Sequence, residues 1–258
     1  MNKPRAFLHG IHYAPGDCNA LELALVEKLI VPDIPLYRGI LPNKLRKMEP
    51  QALRAHEEEL AEITAQELIE QDCFDFIAIS RSSLYSILVA RAFQRLGKRV
   101  NSIVMVPAAA DPKEIQLANG PEAKDVMDGV LLPMRGRMAE SVYNDMKVRH
   151  EKTFIAALKA VDPKKHPVSP EEAHDLLQEV DESTRILILD LLRDPYRHLE
   201  RLARIFGKRK NVFITNPAID ASHMPYLECP EPMANIIKSF DDIENLPEGI
   251  TEFQSSVA

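Results

Sequence analysis

The chain has 258 residues, which is long enough to bury a core and to form one large α/β domain or a core domain with a modest insertion. Its 32 basic and 39 acidic residues give a formal net charge of -7, which argues against a nucleic-acid partner or an anionic membrane partner. The N-terminus lacks the apolar stretch of a signal peptide, and no run of 18 apolar residues occurs, so we expect a cytoplasmic protein.

The first half of the chain alternates short apolar runs with longer amphipathic stretches. The apolar runs predict strands at 5–8, 34–37, 74–79 and 102–106. The amphipathic stretches predict helices at 17–30, 50–71 and 82–96. Strands that alternate with helices form a mostly parallel sheet with helices on both faces.

The second half begins with an insertion at 111–166 that has no strand signal and a helical stretch from 138 to 161. The alternation then resumes with predicted helices at 169–180, 196–206 and 232–240. The predicted strands lie at 185–189 and 212–215. This half therefore adds two parallel strands to the same sheet.

One helix gives a test of the predicted faces. In the helix at 50–71, we expect the acidic residues 57–59 to face solvent. We expect the core side of that helix to carry four apolar side chains: Leu60, Ile63, Leu68 and Ile69.

A polar corner, residues 80–83, follows the strand at 74–79 and precedes the helix that begins near Ser82. A buried strand, a tight corner and a helix are typical of a nucleophile site. The corner resembles the nucleophile elbow of the α/β-hydrolase superfamily, usually written G-x-S-x-G, although every glycine is replaced here. The residues two before and two after the nucleophile must be small, because strand and helix approach closely there.

Two serines fit this corner. With Ser80 as the nucleophile, the flanking residues are Ala78 and Ser82, which are both small. With Ser82 as the nucleophile, one flank is the bulky Leu84, although the distance to the next strand is then more usual. We prefer Ser80 for the steric reason. The alternative is that these serines only cap the helix.

The first strand ends in His9-Gly10-Ile11-His12, which resembles the oxyanion-hole segment of the same superfamily. By that resemblance, the backbone N–H groups of Ile11 and of Arg81 donate to the substrate oxyanion. The alternative is one histidine in a turn and one on the surface.

Two further motifs resemble the rest of a hydrolase triad. Asp194-Pro195 follows the strand at 185–189, where the family has its catalytic acid. His223 lies in SHMPYLECPE, which matches G-H-x-x-x-x-E-x-P-E with Ser222 in place of glycine and Glu228 at its usual offset. The resemblance implies that His223 takes the serine proton and that Asp194 orients the imidazole. Asp194 as a helix cap and His223 as a loop histidine are the alternatives.

The resemblance implies an α/β-hydrolase-like fold, a mostly parallel sheet of about six strands with helices on both faces and a helical lid insertion. Residues 1–110 and 167–258 then form the core, and 111–166 form the cap or lid. Four methionines of the lid either line an adaptable apolar pocket or pack in its core: Met127, Met134, Met138 and Met146.

The function that the resemblance implies is a serine hydrolase that cleaves a small ester, thioester or lactone through an acyl-enzyme. Its partner is a small-molecule acyl substrate, and the sequence is compatible with a homodimer. The missing glycines favour an alternative, a catalytically impaired binding or scaffold module with the same fold. Lyase or acyl-transfer chemistry in the same pocket is a third hypothesis.

Neither a metal nor a cofactor is predicted. The three cysteines, Cys18, Cys73 and Cys229, are odd in number and form no C-x-x-C pair, so we expect neither a disulfide framework nor a zinc site. No H-x-x-x-H motif or carboxylate cluster with metal-ligand spacing occurs.

Overall fold

A computed structural model describes residues 4–9, 16–32, 34, 48–80, 82–107, 131–148, 170–241 and 246–253. Its strands are β1 (Arg5–Leu8), β2 (Cys73–Ser80), β3 (Arg99–Pro107), β4 (Arg185–Ile188), β5 (Val212–Thr215) and β6 (Ile250–Glu252). Its helices are α1 (Asn19–Leu25), α2 (Pro50–Glu67), α3 (Ser82–Arg95), α4 (Pro170–Gln178), α5 (Leu199–Phe206), α6 (Pro225–Glu228) and α7 (Pro230–Asp241). Residues 140–148 are also helical.

The described strands form one six-stranded sheet in the order β1-β2-β3-β4-β5-β6. The first five are parallel, and β6 pairs antiparallel to β5. The mostly parallel sheet with helices on both faces is therefore confirmed. The carboxyl ends of β1 to β5 lie at one edge of the sheet, where α/β proteins build their sites.

The two faces of the sheet carry separate core layers, because successive strand side chains point to opposite faces. In β2, Phe74, Phe76 and Ala78 pack in a first layer with α2, α3, α4 and α5. Ile77 and Ile79 pack in a second layer with α1, α6, α7 and the 131–148 segment. The near-continuous apolar run of β2 reflects burial on both faces.

The beginning of the chain differs from the prediction. Helix α1 ends at Leu25 and not at residue 30, because Val26 adopts a left-handed conformation with φ 60° and ψ 39°. Ile30 then forms a parallel bridge with Ala6, so an extended segment lies beside β1 earlier than the predicted strand 34–37. Of that range, only Ile34 is described; it is buried and outside any strand, and 35–37 lie outside the described residues.

The predicted faces of α2 are partly wrong. Ile63 is 44% exposed, and Glu57 is buried beside Arg54, whose Nη1 donates to the Glu57 carboxylate at 2.6 Å. The buried face follows a different phase of the helical repeat, set by Leu53, Leu60, Ala61, Ala65 and Leu68. A charged residue fits on this face because its ion pair offsets the cost of burial.

The C-terminal half adds three smaller corrections. The predicted helix 196–206 begins only at Leu199, and a short helix, α6, precedes the closing helix α7. Strand β6 was not predicted. Of the predicted lid, the structure describes only 131–148, so the division into core and lid stays a prediction.

Two of the methionines in that segment, Met134 and Met146, are buried in the second core layer, and Met138 packs against it. Met127 lies outside the described residues. Among the helices that the structure describes, none has the length and apolar character needed to cross a membrane.

Candidate active site

Ser80 is the last residue of β2, and α3 begins two residues later. Its φ is +61°, a left-handed backbone conformation that residues other than glycine rarely adopt. Such a conformation costs on the order of 1–3 kcal/mol, and it is found at functional sites as well as at helix ends. The corner therefore has the strained strand-to-helix geometry of a nucleophile elbow, centred on Ser80.

The neighbouring serines have a different role. The Ser82 hydroxyl donates to the carbonyl oxygen of His9, and the Ser83 hydroxyl donates to that of Val106 at 2.9 Å. Both side chains are buried. They join the start of α3 to the ends of β1 and β3, and so they hold the corner in which Ser80 lies.

His223 and Asp194 are in direct contact. The two atoms His223 Nδ1 and Asp194 Oδ2 are 2.8 Å apart, and both side chains are buried, with exposures of 0% and 4%. The other carboxylate oxygen, Asp194 Oδ1, accepts from the backbone N–H of Tyr196 at 2.8 Å. A carboxylate that accepts from Nδ1 fixes the tautomer in which Nε2 is the basic nitrogen.

Tyr196 supports the imidazole from a second direction. Its ring meets that of His223 edge to face, with centroids 4.7 Å apart and an interplanar angle of 85°. Burial raises the pKa of Tyr196, and the nearby carboxylate of Asp194 raises it further, so the phenol stays neutral. Tyr196 was not predicted, because nothing in the sequence marks an aromatic residue two positions after the acid as a histidine contact.

The loops that carry Asp194 and His223 are joined to each other by backbone hydrogen bonds. Ile219 donates to Asp190 O at 2.8 Å, and Leu192 donates back to Ile219 O at 2.9 Å. Arg193 donates to Ala221 O at 3.1 Å. The contact between the two side chains therefore rests on a short ladder between the loop after β4 and the loop after β5.

Ser80 lies at the same edge of the sheet as these two loops, because β2, β4 and β5 are parallel. Only β3 separates β2 from β4, a distance of about 10 Å at the usual strand spacing. Ile79 and Met224, which adjoin Ser80 and His223, belong to one apolar cluster. The hydrogen bonds among the described residues join His223 to Asp194 and do not include one from Ser80 to His223. The complete triad therefore remains a prediction.

Both predicted oxyanion-hole residues, Ile11 and Arg81, lie outside the described residues. His9, which precedes this segment, is buried, and its carbonyl oxygen accepts from Ser82. The parallel register pairs Leu8 with Ala78, so β1 ends beside the corner that holds Ser80.

No family model and no curated protein sequence matches this chain. Solved structures do match over nearly its whole length. A hydrolase from Oleispira antarctica, olei00960, is 13% identical with a TM-score of 0.63, over 95% of this chain and 92% of its own. Est816, described as an N-acyl homoserine lactone degrading enzyme, is 14% identical with a TM-score of 0.60, over 93% of each chain. The naproxen esterase of Bacillus subtilis is 14% identical with a TM-score of 0.54, over 93% of this chain and 84% of its own.

The chain has the α/β-hydrolase fold. In this fold, a serine at the strand-to-helix corner, an acid and a histidine follow one another along the chain at the carboxyl edge of the sheet. Ser80, Asp194 and His223 have this order here and lie at this edge.

The Cys229 thiol is poorly suited to act as a nucleophile. Burial raises the pKa of the Cys229 thiol to about 11, with a further rise from Glu228, so the thiolate is scarce at neutral pH. The three cysteines are free. In the part of the chain that the structure describes, no three His, Cys, Asp or Glu side chains are grouped to hold a metal ion.

Proposed function

We propose that this protein is a serine hydrolase that cleaves a small ester, thioester or lactone through an acyl-enzyme. The observation that carries the proposal is the left-handed backbone of Ser80, with φ +61°, at the elbow of an α/β-hydrolase fold. Strained backbone of this kind clusters at active sites, and here it lies at the strand-to-helix corner where the fold has its nucleophile. The buried contact between His223 and Asp194 supplies a base with an oriented ring.

The proposed reaction has two halves. Ser80 Oγ attacks the carbonyl carbon of the substrate while His223 Nε2 takes the hydroxyl proton. The tetrahedral intermediate then expels the alkoxide or thiolate, which takes that proton from His223 and leaves an acyl-enzyme. A water molecule then attacks the acyl carbon while His223 Nε2 takes its proton. The second tetrahedral intermediate releases the carboxylic acid when its bond to Ser80 Oγ breaks and His223 returns the proton to that oxygen. Asp194 stabilises the imidazolium in both halves.

The oxyanion of the intermediate needs preorganised donors. We assign these to the backbone N–H groups of Ile11 and Arg81, as the resemblance implies. The 14-residue helix α3 begins just after Arg81, and the positive end of its dipole favours negative charge at the corner.

Ser80 is a better candidate for the nucleophile than Ser82. Ser82 is in the first turn of α3, is fully buried, and donates its hydrogen to the carbonyl of His9. A hydroxyl engaged in holding the helix start cannot also donate to an imidazole. The strained backbone belongs to Ser80 and not to Ser82.

The similar structures support carboxylic ester and lactone substrates. One is described as degrading an N-acyl homoserine lactone and another as a naproxen esterase. Both substrates have a carbonyl carbon joined to an alkoxide leaving group, which is the centre that the proposed mechanism attacks. We therefore propose a small acyl ester or lactone as the first substrate class to assay.

A fluorophosphonate probe tests this proposal, because it phosphonylates only an activated serine. We expect the wild-type protein to be labelled, and we expect Ser80→Ala and His223→Ala to abolish labelling. The matched control Ser82→Ala should keep labelling, at a reduced rate because the Ser82 hydroxyl helps to hold the corner. Each variant is checked for folding by thermal unfolding.

Other results have distinct meanings. Labelling that survives Ser80→Ala but is lost in folded Ser82→Ala would show that Ser82, and not Ser80, is the nucleophile. No labelling of folded wild-type protein would contradict the hydrolase proposal and favour the binding or scaffold module.

A further inference from the structure

Four charged side chains form a cluster beside the residues that precede Asp194 and His223 in the chain. We call Arg137, Arg193, Asp220 and Glu228 the charge cluster. Its centre is Glu228, whose side chain is only 1% exposed. Arg137 Nε lies 2.5 Å from Glu228 Oε1, and Arg193 Nη2 lies 3.8 Å from the same oxygen. The two arginines bring the positive charge that a buried carboxylate requires.

Glu228 also holds the residue that precedes His223. Its second oxygen, Oε2, accepts from the Ser222 backbone N–H at 2.8 Å and from the Ser222 hydroxyl at 2.5 Å. Two charge-assisted hydrogen bonds to one residue fix the direction in which the chain enters His223. The serine at this position supplies a side-chain donor that a glycine would lack.

The arginines extend the cluster to the acid loop and to the 131–148 segment. Arg193 directly precedes Asp194, and its Nε donates to Asp220 Oδ1 at 2.7 Å. Arg137 lies in the 131–148 segment, and its Nη2 donates to Asp220 O at 2.9 Å. The charge cluster thus includes the residue just before Asp194 and contacts Ser222, the residue just before His223.

We propose that Glu228 and Arg137 are positioning residues for His223, and that the 131–148 segment sets the orientation of the histidine loop through them. This proposal rests on the proposed serine hydrolase function. Neither residue lies within the ladder that joins the two loops, so each adds a constraint that the backbone alone lacks. An imidazole displaced by about 1 Å can lose on the order of 100-fold in rate.

Hydrolysis of a p-nitrophenyl ester of a short acid measures this effect as separate kcat and KM values. We expect Glu228→Ala and Arg137→Met each to lower kcat by about 10- to 100-fold, with KM changed less than about 3-fold. The conservative variants Glu228→Gln and Arg137→Lys should recover part of the rate, because each keeps a hydrogen-bonding group. A residue with only a structural role would lower the fraction of folded protein. It would not lower kcat per active site, when active sites are counted by fluorophosphonate labelling.

Removing one partner of a buried ion pair leaves an uncompensated charge, so the double variant Arg137→Met/Glu228→Ala is also measured. We expect its kcat to be no lower than that of the worse single variant, because the two residues act through one contact. In a His223→Ala background, Arg137→Met should change the residual rate less than 2-fold.

The matched control is the exposed ion pair Arg204–Glu171, with side-chain exposures of 62% and 64%. Arg204→Met and Glu171→Gln should leave kcat unchanged. If folded Glu228→Ala and Arg137→Met kept the wild-type kcat, this proposal alone would be overturned. A rise in KM at constant kcat in these variants would have the same meaning. A wild-type protein that neither hydrolyses the ester nor reacts with fluorophosphonate would contradict the proposed function and this proposal together.

Discussion

Ser80 combines a structural cost with a functional geometry. A non-glycine residue at φ +61° is destabilised by its own Cβ, so the fold must hold it against strain. Ser83 and Ser82 do this by joining α3 to the neighbouring strands. The corner has its elbow shape without glycine, and the two serine hydroxyl groups hold the start of α3 against β1 and β3 by hydrogen bonds.

The glycine variant tests this account of Ser80. We expect Ser80→Gly to raise the free energy of unfolding by about 1 kcal/mol, because glycine adopts positive φ without strain. The same variant should lose all fluorophosphonate labelling. Urea unfolding monitored by circular dichroism gives the stability, and labelling gives the function.

Ser82→Gly is the matched control for that experiment. Ser82 is in a helix and donates to His9 O, so its replacement should lower the free energy of unfolding by about 1–2 kcal/mol. If Ser80→Gly were destabilising to the same degree as Ser82→Gly, strain at Ser80 would not account for the corner.

The contact between Asp194 and His223 could be predicted because their two motifs resemble the acid and histidine segments of α/β-hydrolases, and their 29-residue separation fits a helix and a strand. The support from Tyr196 and Arg137 could not be predicted in the same way. Their side chains reach His223 and Glu228 through tertiary packing, which no local spacing encodes.

At the scale of elements, the end of α1 has an unusual residue. Val26 has φ 60° and is 80% exposed, although this C-terminal position favours glycine and penalises a β-branched side chain. The apolar pattern continues through Leu29 and Ile30, and without a glycine to end it, the pattern predicted a helix that was too long.

Replacing Val26 by glycine should stabilise the protein. We expect Val26→Gly to raise the free energy of unfolding by about 1 kcal/mol, since the left-handed conformation costs about 1–2 kcal/mol for a residue with a Cβ. Because the side chain is exposed, little packing is lost. The measurement is the urea midpoint at unchanged m-value.

Leu23→Gly is the control for the Val26 prediction. Leu23 is equally exposed at 80% but lies inside α1, where glycine should cost about 1 kcal/mol. Two glycine variants three residues apart should therefore change stability in opposite directions. A loss of stability in both would mean that Val26 is not strained.

Strands buried on both faces were the most predictable elements. Strand β2 was predicted within one residue at each end and β5 without error, because continuous apolar runs bounded by polar residues are short enough to exclude helices. Strand β6 was missed because its three residues, Ile250–Glu252, are too few to show a period. On α2, Glu57 is buried beside Arg54, whereas the amphipathic pattern predicted that it faces solvent.

At the scale of the whole molecule, the C-terminal strand completes both core layers. Ile250 pairs with Thr215 at the end of β5 and packs in the second layer, whereas Phe253 packs in the first layer. Because the histidine loop leaves from β5, strand β6 borders the strand that leads to His223. The antiparallel edge strand therefore packs against the strand that precedes the histidine loop.

Phe253 allows the stability of the sheet to be separated from the activity of the site. It is fully buried in the first layer, whereas Tyr196 and Met224, which flank the histidine, pack in the second. We expect Phe253→Ala to lower the free energy of unfolding by about 3–5 kcal/mol, as large-to-small changes of buried aromatic residues do. Below its unfolding transition, the variant should keep wild-type kcat, because the sheet lies between the cavity that Phe253→Ala creates and His223.

The control Leu246→Ala, at a position 44% exposed, should lower the free energy of unfolding by less than about 1 kcal/mol. Urea unfolding and ester hydrolysis on the same samples measure both quantities, and a fall in kcat in fully folded Phe253→Ala would mean that the two layers are coupled through the sheet.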